Sequence, residues 1–320
     1  MSRPARTIFL GTGSFAVPVL AALDAAPQAD VVAIVSAPPR PGSRGRLVDP
    51  PVAVWASEHA LLLLRPVRLR AAEAVAEIGD LAPDLLVLAD YGQIVPATLL
   101  DLPAHGALNL HPSLLPRHRG AIPVQAAILA GDGETGVTLM RMDTGLDTGP
   151  IVAQRRLILN GTETAPELEA TLAGMAAALL AQSLPAWLAG DLAPTAQDEA
   201  LASTTRPLRR ADGRLDAGRT AAELERQVRA FQPWPGSYLE AGDERLVVWR
   251  AQPAGAEVKS TRGLLSVTPD GELALGAADQ ALLLLEVQPA GGRRMSGADL
   301  LRGRPALAGA RIASSADQAS

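Results

Sequence analysis

Asn109 and His111 close a short apolar run and are followed by Pro112-Ser113-Leu114-Leu115-Pro116-Arg117-His118-Arg119-Gly120. On a strand, side chains two apart point to the same side, so an amide and an imidazole would stand together at a strand end. Pro112 and Pro116 cannot extend a ladder of backbone hydrogen bonds, and a stiff, irregular loop is predicted after the strand. An amide donor beside an imidazole can stabilise charge developing on an oxygen and can move a proton. On spacing alone, a polar strand end whose histidine caps a loop is the commoner reading. A second stretch, Met142-Asp143-Thr144-Gly145-Leu146-Asp147-Thr148-Gly149-Pro150, sets two carboxylates among glycines after another apolar run. Asp147 is the candidate to orient His111. By itself this stretch equally describes an acidic turn with Asx-type hydrogen bonds.

The elements that must position these groups are legible from apolar periodicity. Strands are predicted at Thr7–Leu10, Val31–Ala37, Leu61–Leu64, Leu85–Ala89, Ala107–Leu110, Gly136–Met142 and Ile151–Ile158. Helices are predicted at Ser14–Ala25, Pro51–His59, Ala71–Gly79, Ile122–Ala130 and Ala165–Leu188. Strands rich in Val, Ile and Leu that alternate with helices make a mostly parallel sheet covered on both faces, with ligands beyond the carboxyl ends of its strands. Near Gly190 the pattern changes. Residues 190–210 hold prolines, threonines and charges without apolar period and read as a linker. One amphipathic helix follows, Thr220–Phe231, and then short strands at Ser237–Glu240, Leu246–Ala251, Gly263–Thr268, Glu272–Leu275 and Ala281–Val287, the pattern of a small β-barrel. The expected division is therefore a domain over 1–189, a linker over 190–210, a second domain over 211–312 and a flexible tail over 313–320.

Composition narrows the function class. An apolar fraction of 48% excludes a disordered chain, and 320 residues suit two cores better than one. With no cysteine, disulfides, thiolate metal sites and cysteine nucleophiles are excluded. A formal net charge of −5 repels phosphate, so a nucleic-acid partner would have to be met by local basic patches. Candidates are Arg40, Arg44 and Arg46, which have no acid among them until Asp49, and the group around Arg206, Arg209, Arg210, Arg214 and Arg219. No signal peptide is recognisable, no apolar stretch approaches membrane-spanning length, and a cytoplasmic location with no membrane association is expected. The four histidines show no metal-ligand spacing, and no metal is expected. Gly11-Thr12-Gly13-Ser14 after the first strand suggests dinucleotide binding, but Val17 stands where the third small residue is needed, and a structural turn is the better reading.

Taken together and in order, Asn109-x-His111, the Ser113–Pro116 loop and the Gly145–Gly149 turn resemble the site of the folate-dependent formyltransferase family. The resemblance implies catalytic roles for Asn109, His111 and Asp147, and folate contact at Ser113, Leu114, Leu115, Pro116, Tyr91 and Gly92. Pro38-Pro39-Arg40-Pro41 leading to Arg44-Gly45-Arg46 is similar to a basic insertion loop found in the branch of that family whose acceptor is initiator methionyl-tRNA. Arg229-Ala230-Phe231-Gln232-Pro233-Trp234-Pro235, and Gln288-Pro289-Ala290 before Arg293-Arg294-Met295-Ser296, are similar to signatures of that branch's second domain. Asp90 departs from the family pattern, which has a small apolar residue there; Arg46 stands where a lysine pair is frequent, and Leu208-Arg209-Arg210 replaces a segment in which lysine is usual.

What the resemblance implies is an α/β fold: a Rossmann-like N-terminal domain with a mostly parallel sheet and a smaller C-terminal OB-like β-barrel. It further implies 10-formyltetrahydrofolate as co-substrate, no metal, initiator methionyl-tRNA as partner through Arg40, Arg44, Arg46, Arg209 and Arg210, and a monomer. Asn109 and protonated His111 would donate hydrogen bonds to the carbonyl oxygen under attack, while Asp147 holds the imidazolium and accepts the amine's proton directly or through water. Other readings stay open at this point: a relative acting on an amino-sugar nucleotide or another small amine, a catalytically silent folate- or RNA-binding module, and an NAD-dependent oxidoreductase. A barrel plus basic loops favours a large polyanion over a small amine.

Overall fold

The computed structural model describes residues 3–42, 45–255 and 257–312. Arg44 of the expected tRNA contacts and the expected tail, 313–320, lie outside the described residues. By contact the chain divides into two units, one over Met1–Pro123, Glu134–Leu159 and Glu167–Arg206, the other over Val124–Gly133, Asn160–Pro166 and Pro207–Ser320.

In chain order, the first elements are β1 (Ala5–Gly11), α1 (Ala16–Asp24), β2 (Ala29–Val35), the short pair β3 (Arg40–Pro41) and β4 (Leu47–Val48), α2 (Pro51–Glu58) and β5 (Leu63–Leu64). They continue with α3 (Ala72–Asp80), β6 (Leu85–Ala89), α4 (Ala97–Leu100), β7 (Ala107–His111) and β8 (Arg119–Gly120). After α5 (Pro123–Ala130) come β9 (Glu134–Arg141), β10 (Ile151–Ile158), α6 (Ala165–Ala189) and β11 (Thr204–Thr205). The central sheet has the order β10-β9-β7-β6-β1-β2-β5. The five strands from β7 to β5 are parallel, and β9 and β10 are antiparallel additions at one side. All five residues of β6 are buried, as a parallel strand covered on both faces requires. β10, by contrast, exposes Gln154, Arg155 and Arg156, the charged dress of a sheet edge. Ile8, Leu10, Ala33, Val35, Leu86 and Leu88 pack with Ile78 and Leu99 into one core layer.

Two features differ from expectation. Helix α6 is long and apolar enough, by length and composition, to cross a membrane, which corrects the expectation that no segment approaches that length. Its Leu168, Leu172, Leu179, Leu180 and Leu184 recur at helical spacing and are buried, so its apolar surface is used in packing. Residues 190–206, expected as linker, cluster with the first unit, where they form an extended strap ending in β11.

The second unit contains α7 (Ala221–Ala230), β12 (Ser237–Ala241), β13 (Glu244–Pro253), β14 (Leu265–Val267), β15 (Leu273–Gly276), β16 (Ala281–Pro289), β17 (Met295–Ser296) and α8 (Gly297–Gly303). Thr220 and Glu223 form a reciprocal capping box at the start of α7, whose Ala221, Leu224 and Val228 enter the core. The strands are antiparallel in the order β12-β13-β16-β15-β14, with β17 beside β16. They curl into a half-barrel. Ile312 bridges Ala241 of β12, and Arg311 bridges Leu264 just before β14. Arg226 and Arg229 of α7 donate to the carbonyls of Leu129 and Glu163, tying the two early segments into this unit at 3.0 and 2.7 Å.

Candidate active site

β7 ends between β6 and β9, with Asn109 level with Leu88 and Met140, and His111 level with Thr138. Leu108 and Leu110 are buried on the opposite face, while Asn109 is half-buried and His111 is 5% exposed. Asn109 has no side-chain hydrogen bond among the described residues, so its amide donors are available to a ligand. His111 is tied at one nitrogen: Nε2 lies 2.9 Å from the carbonyl oxygen of His118. A carbonyl only accepts, so Nε2 carries a hydrogen here and Nδ1 is the working nitrogen. Nδ1 lies 3.7 Å from Oδ2 of Asp147, a distance at which charge is felt but no direct hydrogen bond forms.

The two acids of the glycine-rich turn divide their tasks. Asp143 builds the turn, accepting from the Gly145 N–H at 2.9 Å and the Thr148 hydroxyl at 2.7 Å. Asp147 faces the histidine, its Oδ2 also accepting from the Gly120 N–H at 2.7 Å. The acidic-turn and histidine-partner readings thus each describe one of the two residues. Asp147 (φ 54°), His118 (φ 59°) and Asp90 (φ 47°) all adopt left-handed backbone. Such conformations persist in non-glycine residues only where the surroundings impose them, and they gather at functional sites.

The Ser113–Pro116 segment is fixed by its own hydrogen bonds. Ser113 donates to the Arg117 carbonyl at 2.6 Å, and the Thr138 hydroxyl links the Ser113 carbonyl to the Leu115 N–H. Gln154 donates to the Leu115 carbonyl at 2.9 Å. Ser113, Leu115 and Pro116 are buried, and Leu114 is only partly so, which makes Leu114 and the backbone the surfaces this loop offers. Leu146, beside Asp147, is 61% exposed and adds a second apolar side chain. Tyr91 is half-buried, and burial pushes its hydroxyl up to about 12, while Gly92 faces open space. Asp90 is exposed as a residue, while its carboxyl is crowded against the Gly13 turn. Loss of water around the carboxyl, with repulsion from Glu169, pushes it up to about 6, partly offset by the Gly13 N–H. A Cβ on Gly13 would fall 1.9 Å from Oδ2 of Asp90, so the Gly-x-Gly turn serves this close approach.

The groups that hold the turn and loop together went unrecognised in the sequence. They lie on the strap. Gln197 donates to the carbonyls of Asp147 (2.8 Å) and Gly149 (2.7 Å) and accepts from Arg119 Nε (3.0 Å) and Nη2 (2.8 Å). Glu199 receives both Arg119 Nη groups. Ser203 accepts from the His118 N–H at 2.9 Å, and β11 pairs in parallel with β8. Only a polar Gln-Asp-Glu run in an aperiodic stretch marked these residues.

The basic candidates sit elsewhere. Arg40 and Arg46 are exposed on the β3–β4 hairpin, and among the described residues neither has an ion pair. Asp49, the nearest acid in sequence, is taken by Arg65 at 2.6 Å. Arg209 and Arg210 are exposed in the second unit. His59 stacks on Trp55 with ring centroids 3.7 Å apart.

Comparison with known proteins gives two matched regions, one before and one after the strap. The description Formyl transferase matches residues 5–184, and Formyl transferase, C-terminal domain, matches residues 207–305. A methionyl-tRNA formyltransferase of Myxococcus xanthus is 44% identical over 305 residues, covering 95% of this chain and 96% of that protein. One from Thermus thermophilus is 45% identical over 309 residues, covering 96% and 99%. Among solved structures, HypX from Aquifex aeolicus in complex with tetrahydrofolic acid matches with a TM-score of 0.61 at 18% identity, over 94% of this chain and 47% of that chain. The N-formyltransferase from Helicobacter canadensis in complex with folinic acid and dTDP-3-aminofucose matches with a TM-score of 0.64 at 16% identity, over 88% and 98%. At these identities, the structural likeness speaks to fold.

Proposed function

The chain belongs to the formyl transferase family, and we propose that it moves the formyl group of 10-formyltetrahydrofolate onto the α-amino group of methionyl-tRNA. Near full-length identity of 44–45% to proteins of that activity supports this acceptor over a sugar amine. The observation that carries the chemistry is the convergence of a free amide, an anchored imidazole and a carboxylate at the end of β7. Leu114 and Leu146, apolar and partly or largely exposed beside these groups, suit a flat heteroaromatic ring, so the residues present fit a folate.

The folate co-substrate supplies the formyl carbon. A free α-amine has a pKa of about 7.7–8.0, so a useful neutral fraction is present to attack it. The Asn109 amide and the Nδ1–H of protonated His111 donate to the oxygen on which charge develops. Asp147, fixed by the Gly120 N–H, stabilises the imidazolium and takes the amine's proton directly or through water. As the carbonyl re-forms, the bond from the formyl carbon to N10 of the folate breaks and N10 receives a proton by the same route, giving formyl-methionyl-tRNA and tetrahydrofolate. Donors already in place cost no reorganisation when the charge appears. Arg40 and Arg46 on the hairpin, together with Arg44, Arg209 and Arg210, meet the phosphates of the initiator tRNA, and the enzyme works as a monomer in the cytoplasm.

The test is purified protein with 10-formyltetrahydrofolate and methionyl-tRNA, followed for formyl-methionine released from the tRNA, with a dTDP-amino sugar and free methionine as competing acceptors. Rapid formylation of the tRNA is expected. Formylation of the sugar alone, or of nothing in a single turnover, overturns the reading.

A further inference from the structure

The strap places one neutral side chain where it touches both halves of the site. Gln197 spends its whole hydrogen-bonding capacity there, two donors to the carbonyls of Asp147 and Gly149 and its oxygen to the Arg119 guanidinium. Arg119, 5% exposed, belongs to β8, whose next residue, Gly120, gives Asp147 Oδ2 its N–H. The residue before Arg119, His118, supplies the carbonyl that anchors His111 Nε2. One amide therefore ties the backbone of the turn that carries the carboxylate to the segment that fixes both the carboxylate and the imidazole. Asp147 is in a left-handed conformation (φ 54°), and the two Gln197 hydrogen bonds grip the turn at and beyond that residue.

We propose that Gln197 is a positioning residue for formyl transfer, clamping the Asp147 turn to the Arg119–Gly120 segment so that the carboxylate stays in register with His111. The proposal rests on the reading of Asp147 as the group that serves the reaction. Gln197 itself touches no reacting atom. Its effect is expected in turnover, since a displacement on the order of 1 Å at a reacting group costs about 10²-fold.

Two variants separate positioning from mere folding. Gln197→Met keeps the volume and removes all four hydrogen bonds. Gln197→Glu keeps an acceptor for Arg119, and so the strap's anchorage, but turns carboxylate oxygen toward two carbonyls that need donors. Both are expected to lower kcat by about 10–100-fold, with KM for each substrate within about threefold of the parent. The deficit of Gln197→Glu relative to the parent should shrink as pH falls, because a protonated carboxyl regains one donor. Combined with Asp147→Asn, the loss from Gln197→Met should largely disappear, because the group it positions is already disabled. A parental kcat in Gln197→Glu, or losses that simply multiply in the double variant, would overturn the proposal. If Asp147→Asn alone turns over normally, the reading of Asp147 fails first. If Asp147→Asn is slow and the Gln197 variants are not, only the clamp fails.

Discussion

Asn109 and Asp90 carry opposite lessons at the scale of single residues. The Asn109 amide is unengaged and therefore poised, so Asn109→Ala should lose about 10²–10³ in kcat with an unchanged melting temperature, checked by steady-state rates beside thermal melts. Asp90 is held against the Gly13 turn and near Glu169, with its carboxyl at about 6 rather than the ordinary 3.8. Because the folded value is the higher one, the folded state keeps a proton that the unfolded state has released between those two values. Stability contributed at this position accordingly falls as pH rises from about 4 to about 6 and is level above that range. Asp90→Asn should remove that slope and raise stability at pH 7.5 by on the order of 1 kcal/mol, discounted for the water that still reaches the side chain. Urea titrations at several pH values would show the two proteins converging near pH 4. The pairing of Asn109 with His111 was legible because strand alternation is a local rule. Asp147 was named as the histidine's partner from the sequence, but the physical cause that sets it apart from Asp143 is not local. That choice depends on the left-handed backbone at Asp147 and on an N–H from Gly120, 27 residues away.

Elements show the same contrast between local and distant causes. Strands β1, β6 and β7 and helix α6 follow from apolar period and are found close to where that period puts them. The strap does not, since its partners lie far off in sequence, from Ile151 for Thr195 to Pro116 for Ser203, and its polar side chains leave no periodic trace. The pairing of β3 with β4 was likewise hidden, because two-residue strands carry too little pattern to be seen. Gly120 is where strap and loop meet most tightly. It has φ +101°, and a Cβ there would lie 2.5 Å from the Thr205 carbonyl oxygen. Gly120→Ala should therefore cost about 1–3 kcal/mol of stability. It should also slow turnover by at least about tenfold, by shifting the N–H that holds Asp147. Chemical denaturation and kcat measured on the same preparation check both numbers; a fully stable variant with slow turnover would locate the effect in the turn alone.

For the molecule as a whole, a net charge of −5 has to be reconciled with a polyanionic acceptor. On the proposed tRNA contact the hairpin supplies the local positive charge, because Arg65 takes Asp49 and leaves the charges of Arg40 and Arg46 unmatched among the described residues. Replacing both by Ala should raise KM for methionyl-tRNA while kcat at saturation holds. The salt dependence, as log KM against log salt, should flatten by roughly 1–2 units; initial rates between 50 and 200 mM salt, about the range over which phosphate contacts weaken steeply, would measure it. The existence of two folded units was legible from the change of pattern near Gly190. The assignment of 124–133 and 160–166 to the second unit was not, because those segments are interleaved with the first in sequence. The half-barrel's closure has a consequence for chain integrity. Ile312 makes one bridge at the end of β12 and Arg311 one beside β14, the two outermost strands of the curled sheet. A nick a few residues upstream should release both bridges at once and leave backbone groups on two margins open to another molecule, so clipping here threatens self-association, which light scattering of a clipped sample would show.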